Sequence, residues 1–317
     1  MPSLRPVLCR ISAAILLLSA LLPLFAPAAE AGLFGSRRGP SSASGRRSGG
    51  GVRSGRLLGG IDPTIPYVTA PRHTWLETDQ FDIAWNPVAG ASTYTVSLWR
   101  WSYARDERDE LVWQATTTDP QITYSGEPAL ELGRYYSIEV TTDTGVSSTA
   151  DVGDARSGFQ LLFAEDLALL GRDRRRIARQ DLSDADTAFY LAALYAEEQL
   201  YTEAIATLMP LVTAGSDDPW IYKAMGDLHS YSALSALALR YYEQAQQLAA
   251  ATGDREAEAA ALTSLGATVA TMGQFDAAIT YFQAAQDIYQ RQSSTATVTQ
   301  LQRRIERLEA TRQAQEL

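Results

Sequence analysis

Two hydrophobic periodicities divide the chain. Between about residues 67 and 148, apolar residues alternate with polar ones, and turn residues recur at short intervals. Phe81, Ile83 and Trp85 form one alternating run, which a Pro- and Gly-containing turn separates from a second run at 94–98. A period of two is typical of strands that bury one face. The pattern predicts an antiparallel β-sandwich over residues 65–150.

The second periodicity is helical and begins after residue 158, where Ala, Leu, Glu and Gln dominate. Apolar residues spaced three and four apart predict a connecting helix over residues 159–180. Three mutually similar units then fill residues 181–292. Their predicted bounds are about 185–218, 219–258 and 259–292. A last amphipathic helix, predicted over residues 295–317, would cover the apolar end of the stack.

Small residues recur at matched positions in the three units. They are Ala192, Gly226 and Gly266 in the first half of each unit and, always twelve residues later, Ala204, Ala238 and Ala278. Two antiparallel helices approach closely only where both present small side chains at their crossing. Asp218 before Pro219 and Gly253 before Asp254 have the form of helix boundaries. The sequence therefore predicts three tightly packed helical hairpins.

Each unit resembles a tetratricopeptide repeat. The matching residues are 189–195 and 201–205 in the first unit, 222–228 and 237–245 in the second, and 262–266 and 272–285 in the third. This resemblance implies an all-α superhelix whose first helices line a concave groove for a protein or peptide partner. By the same resemblance, the candidate partner-binding residues are Phe189, Glu197, Trp220, Lys223, Asp227 and Tyr231. A basic or apolar partner is expected, and packing of Trp220 and Tyr222 against the preceding hairpin is an open alternative.

The strand-rich part resembles a fibronectin type III or Ig-like domain over roughly 80 residues. Trp85 before a Pro-containing turn, followed by a Tyr-x-Val strand, carries the first match. Leu130, six residues before Tyr136, carries the second, which is similar to that family's tyrosine corner. The resemblance implies a sandwich placed ahead of the helical repeats. The acidic run at 106–110 is predicted to be a solvated loop.

An aromatic patch is expected on the sandwich. If residues 94, 96 and 98 point inward, Trp99 and Trp101 alternate outward, and Trp113 on the next strand joins them. Exposed tryptophans stack on sugar rings or anchor partners. Two interpretations remain open: the patch binds a cell-envelope glycan, or it buries the interface with the helical half.

The first 64 residues predict export. Arg5 and Arg10 precede an apolar run and a small-residue stretch, which is typical of a signal peptide over residues 1–31, and its cleavage would leave no transmembrane segment. Residues 32–64 are rich in Arg, Gly and Ser and predict a disordered linker. We expect a bacterial periplasm or cell envelope, or secretion. The whole combination resembles exported bacterial proteins of the cyanobacterial type, which implies no particular function.

The net charge and the residue content disfavour several classes of function. The net charge is −10, and residues 61–317 carry 19 basic and 36 acidic residues. Such a surface repels phosphate backbones, so nucleic-acid binding is disfavoured. The two histidines, His73 and His229, lie in different predicted domains, and no nucleophile, metal or cofactor motif is present. We therefore predict a non-enzymatic interaction scaffold without cofactors or metals; the alternative is a carbohydrate- or cell-wall-binding protein.

Overall fold

The computed structural model describes residues 59–102, 107–151 and 158–315, all within one compact unit. The predicted signal peptide (1–31) and residues 32–58 of the predicted linker lie outside the described residues. The predicted end of that linker, residue 64, is wrong. Gly59 and Gly60 are already buried, and Gly59 forms a backbone bridge with Leu234.

Eight described strands form two sheets. They are β1 (Val68–Ala70), β2 (Thr74–Leu76), β3 (Phe81–Trp85), β4 (Tyr94–Ser102), β5 (Glu107–Thr117), β6 (Gln121–Tyr124), β7 (Tyr135–Thr142) and β8 (Gly158–Leu161). One sheet has the order β1-β3-β6 and the other the order β2-β8-β7-β4-β5. All pairs are antiparallel except β2 with β8, which is parallel.

A single apolar core joins the two sheets. Ile83 and Trp85 from the three-stranded sheet belong to the same buried cluster as Val96, Ile138 and Phe159 from the five-stranded sheet. The residues of this core alternate along β3, β4 and β7, as the period of two predicted. This β-rich region therefore precedes the helical part of the chain, as the sequence indicated.

Two predicted boundaries in the β-rich region are wrong. The predicted connecting helix began at Phe159, but Phe159 lies in β8, where its side chain is fully buried. A four-residue apolar run fits a strand and a helix equally well, so periodicity could not decide. In the predicted acidic loop, residues 107–110 instead extend β5, where Arg108 pairs with Glu139 of β7.

Eight described helices follow. They are α1 (Ala164–Ile177), α2 (Asp184–Glu197), α3 (Tyr201–Thr213), α4 (Pro219–Tyr231), α5 (Ser235–Thr252), α6 (Arg255–Thr271), α7 (Phe275–Arg291) and α8 (Thr295–Gln315). Helices α2 to α7 form three hairpins, each helix packing on the next. The third hairpin begins at Arg255, four residues earlier than predicted. Helix α8 buries Leu301 and Ile305 against it.

The matched small residues lie at the helix crossings. Ala204, Ala238 and Ala278 are completely buried, and Ala192 is 4% exposed. A Cβ atom on Gly226 would lie 2.4 Å from the ring of Tyr242, and one on Gly266 would lie 2.8 Å from the ring of Phe282. Only glycine lets these aromatic rings lie against the facing helix, so the spacing seen in the sequence has a direct steric cause.

The predicted helix boundaries between hairpins are confirmed. The Asp218 carboxylate accepts a hydrogen bond from the Trp220 N–H at 2.9 Å, and Pro219 is the first residue of α4. Gly253 ends α5 with φ of 77°, and the Asp254 carboxylate caps α6 by accepting from the Ala257 N–H. These caps satisfy backbone groups that a helix end leaves unpaired.

Candidate functional site

Two of the candidate partner-binding residues belong to a buried polar network. Lys223 Nζ lies 2.7 Å from Asp227 Oδ2, one turn further along α4, and both side chains are about 90% buried. The Tyr242 hydroxyl donates to Asp227 Oδ1 at 2.8 Å from the neighbouring helix α5. Burial, followed by the nearby Asp227 charge, raises the pKa of Tyr242, so this phenol stays protonated and remains a donor. The network links the two helices of the second hairpin.

The two aromatic candidates of α4 contact neighbouring helices. Trp220 is half-buried, and its indole N–H donates to Asp254 Oδ2 at 3.2 Å, at the start of α6. The ring of Tyr231 stacks on Tyr201 of α3, with centroids 5.4 Å apart. Trp220 therefore contacts the following hairpin and Tyr231 the preceding one. Tyr222, the other tyrosine considered, is buried against α5 and α6.

The candidates of the first hairpin are more accessible. Glu197 is exposed at the end of α2, whereas Phe189 is half-buried and packs against the core shared by the first two hairpins. The structure thus brings Lys223 and Asp227 together, places Tyr231 one further turn along the same helix, and leaves Phe189 and Glu197 on a separate one. The six candidate partner-binding residues differ in exposure, because the side chains of Lys223 and Asp227 are largely buried.

The three sandwich tryptophans do not form one patch. Trp113 pairs with Leu98 across strands and packs edge-on against the buried Tyr124, so it belongs to the core face. Residues opposite each other in a ladder share a face, and an irregularity in the ladder after Leu98 shifts the pairing of Trp99. Trp99 and Trp101 are half-buried. The grouping of Trp113 with the other two is therefore wrong.

A polar junction between the β-rich region and the first hairpin was not predicted. The Trp75 N–H and the Thr74 hydroxyl both donate to the Gln199 carbonyl, each at 3.0 Å, and the Tyr201 N–H donates to Thr74 Oγ1 at 2.8 Å. Trp75 also packs in an apolar cluster with Leu200. Strand β2 therefore contacts the turn between α2 and α3.

A second junction centres on the buried Arg72. Its guanidinium donates to the Ser232 carbonyl at 2.9 Å, in the turn between α4 and α5, and lies 3.3 Å from Asp151 Oδ2. The Asp151 carboxylate also accepts from the Gly60 N–H. The hydrophobic periodicity could not indicate a role for Arg72, because Asp151 and Ser232 lie 79 and 160 residues away along the chain.

Both contacted turns share an unusual backbone conformation. Gln199 and Ala233 have φ of 61° and 55°, whereas the third hairpin places Gly273 at the equivalent position. Left-handed φ costs a non-glycine residue about 1 kcal/mol. In the first two hairpins, the turns with this strained conformation are therefore the same turns that contact the β-rich region.

Acidic groups meet beside the first junction. Glu77, which directly follows β2, forms an ion pair with Arg174 of α1, whose guanidinium lies 4.8 Å from the ring centre of Tyr195 on α2. Glu203 of α3 lies next to them, and its Oε2 atom is buried without a hydrogen-bond partner in the part of the chain described. Burial raises the pKa of Glu203 to about 7, the Glu77 charge adds to the rise, and nearby backbone N–H groups and Arg174 oppose it.

Among the described residues, neither a candidate metal site nor a candidate membrane-spanning helix is found. There, no group of three or more His, Cys, Asp or Glu side chains is placed to hold a metal ion. None of the helices between residues 59 and 315 combines the length and the apolar composition that spanning a bilayer requires.

Comparison with known proteins identifies the helical repeats. A family model described as tetratricopeptide repeat matches residues 217–291, the second and third hairpins. Among curated proteins, none matches this chain. Similar solved structures include BtubC from P. vanneervenii, with 20% identity and a TM-score of 0.40, covering 47% of this chain and 66% of BtubC. They also include MamA, with 16% identity and a TM-score of 0.32, covering 48% of this chain and 90% of MamA.

The second and third hairpins therefore match the tetratricopeptide repeat, and the first hairpin packs on them in the same antiparallel manner. The chain spans just under two thirds of the length of BtubC.

Proposed function

We propose that this protein is an exported, non-enzymatic scaffold that holds a protein partner on its tetratricopeptide-type hairpins. The family match over the second and third hairpins is the observation that carries the proposal, since such repeats are interaction modules. Export is supported by the sequence pattern of residues 1–31 alone.

The partner surface we propose is the side of the stack formed by α2, α4 and α6. Phe189 and Glu197 offer an apolar and an acidic contact on α2, and Trp220 and Tyr231 offer aromatic surface on α4. Lys223 and Asp227 act differently from the prediction, because their ion pair and the Tyr242 hydroxyl tie α4 to α5. They fix the wall of the groove, and the aromatic and acidic side chains contact the partner.

The β-rich region serves in this proposal as a fibronectin type III-like module that is fixed to the repeats. Its order of three and five strands supports that kinship, as does the Tyr136 hydroxyl, which accepts from the Glu131 N–H at 2.9 Å in the manner of a tyrosine corner. The Thr74 and Arg72 contacts place this module against the first two hairpin turns.

Selection of peptides on the full chain tests the partner surface. A displayed library of extended peptides is expected to yield basic and apolar sequences, because the groove side offers Phe189 and Glu197 and the folded part is acidic. Replacing Phe189 with alanine and Glu197 with lysine together should weaken the Kd of the selected peptides by about tenfold, or about 1.4 kcal/mol. Fluorescence anisotropy with labelled peptides measures the change.

Glu243→Lys is the matched control for that experiment. Glu243 is exposed on α5, a second helix, so reversing its charge alters the total charge as Glu197→Lys does but leaves the proposed surface intact. Glu197→Lys alone should also weaken binding. Equal weakening by Glu197→Lys and Glu243→Lys would contradict the proposed surface, and so would a library that yields no binder.

The tryptophans of the sandwich give a separate prediction. Because Trp113 faces the core and Trp99 is half-buried, we expect no retention of the full chain on purified peptidoglycan or other envelope glycan. A co-sedimentation assay should give the same pellet fraction for the wild type and for Trp101→Ala. Retention that Trp101→Ala abolishes would favour glycan binding instead of the scaffold function.

A further inference from the structure

The first junction is built around a carboxyl group that lacks a full set of partners. Glu203 lies at the start of α3, two residues after Tyr201, whose N–H donates across the junction to Thr74. One carboxyl oxygen, Oε2, is buried and without a hydrogen-bond partner among the residues described. A buried carboxylate in that position loses hydration that the nearby backbone N–H groups and Arg174 replace only in part, whereas a neutral carboxylic acid loses much less.

Arg174, the cation that lowers the pKa of Glu203, is already engaged. Arg174 of α1 forms its ion pair with Glu77 of the β-rich region and covers the ring of Tyr195. If Glu203 were also ionised, two carboxylates would share one guanidinium within a poorly hydrated site. Like charges in such a site disfavour a second ionisation, so one proton stays with the pair.

Glu77 and Glu203 therefore share one proton at the first junction, between the β-rich region and the first hairpin. Glu77 directly follows the strand that carries Thr74 and Trp75, and Glu203 belongs to the helix that Tyr201 begins. A charge on Glu203 therefore repels the segment that supplies the hydrogen bonds of the junction.

We propose that Glu203 is a proton-dependent latch: the closed junction holds it as a neutral acid beside the Glu77–Arg174 pair, and release of the proton to solvent loosens β2 from the α2–α3 turn. The sign follows from linkage. The closed state binds the proton more tightly than the open state, in which Glu203 is hydrated. The junction is therefore fully stable below the ordinary glutamic acid pKa of 4.5, weakens as pH rises from there through the closed-state pKa of about 7, and changes no further above it.

Other titratable groups do not produce this dependence. The charged and phenolic groups around Glu203 are Glu77, Arg174 and Tyr195, and burial raises the pKa of the Tyr195 phenol, which keeps it neutral. Burial lowers the pKa of His229 to about 4, so His229 in the folded chain is already largely neutral above about pH 5.

Two amide protons report the state of the latch directly. The Trp75 N–H and the Tyr201 N–H are donors that cross the junction, so their hydrogen-exchange protection measures its opening. We expect their protection factors in the full chain to fall by about tenfold per pH unit between about pH 5 and pH 7 and to level off above pH 7, because opening releases a proton only where the closed junction holds Glu203 protonated. In Glu203→Gln, whose neutral amide mimics the acid, the protection should stay level between about pH 5 and pH 7.

Two controls separate the latch from a general loss of stability. The Ala278 N–H, bonded to the Gln274 carbonyl in α7, should keep a constant protection factor in both proteins. Glu243→Gln, which removes an exposed carboxylate from α5, should behave like the wild type. The latch is refuted if junction protection is level in the wild type, if Glu203→Gln keeps the wild-type slope, or if Ala278 loses protection in parallel.

Discussion

Replacing Gly226 with alanine is expected to destabilise the protein by about 2 kcal/mol, although alanine is the better helix former. The new Cβ would lie 2.4 Å from two atoms of the Tyr242 ring. The Tyr242 side chain is buried, with 3% of the residue exposed, and its hydroxyl is bonded to Asp227, so the ring has no room to withdraw. Forcing a methyl group into a packed core costs typically 1–3 kcal/mol and outweighs a propensity gain of about 1 kcal/mol. Urea unfolding followed by circular dichroism measures the loss.

Gly171→Ala provides the matched control. Gly171 is also an interior helical glycine, on α1, but a Cβ there meets only the end of the Arg175 side chain, at 3.5 Å. This variant should be stabilised by up to about 1 kcal/mol. A Gly226→Ala protein as stable as Gly171→Ala would mean that the helix crossing is looser than the Tyr242 contact requires.

Replacing Arg72 with alanine should cost about 3–5 kcal/mol, which is the range for removing one partner of a buried ion pair. The substitution would remove the guanidinium from the buried Asp151 carboxylate and from the Ser232 carbonyl. Because the guanidinium joins the β-rich region to the second hairpin, both parts should become less stable. Thermal unfolding, followed separately by tryptophan fluorescence and by helical circular dichroism, measures the two effects.

An exposed arginine in the same region gives the comparison. Arg134 pairs with Glu131 three residues away, with more than half of each side chain exposed. Such surface pairs contribute little, so Arg134→Ala should change stability by less than about 0.5 kcal/mol. If Arg72→Ala were equally mild, Arg72 could not be the residue that joins the two parts.

The sequence predicted those features that depend on local spacing. The small residues of the hairpins, the cap at Asp218 and the stop at Gly253 each have a steric or hydrogen-bonding cause within one or two helical turns. The burial of Lys223 and Asp227 was not predicted, although opposite charges four residues apart are expected to pair on a helix. Their withdrawal from solvent depends on Tyr242, which another helix supplies.

No pattern in the sequence indicated the contacts between distant segments. Thr74 and Arg72 bond to turns 125 and 160 residues further along the chain, and neither interrupts the period of its own strand region. Phe159 was assigned to a helix because four residues are too few to fix a period. Trp113 was placed outward because an irregularity in the ladder, which changes the pairing of the two strands, cannot be seen in the alternation itself.

The most direct test of the scaffold function is a hydrogen-exchange footprint of the full chain with and without a selected peptide. A partner held on the first helices of the hairpins should add protection in α2, α4 and α6, centred on Phe189 and Trp220, and cause no change in α3, α5 and α7. Protection confined to α3, α5 and α7, or to the β-rich region, would contradict a partner held on the first helices of the hairpins.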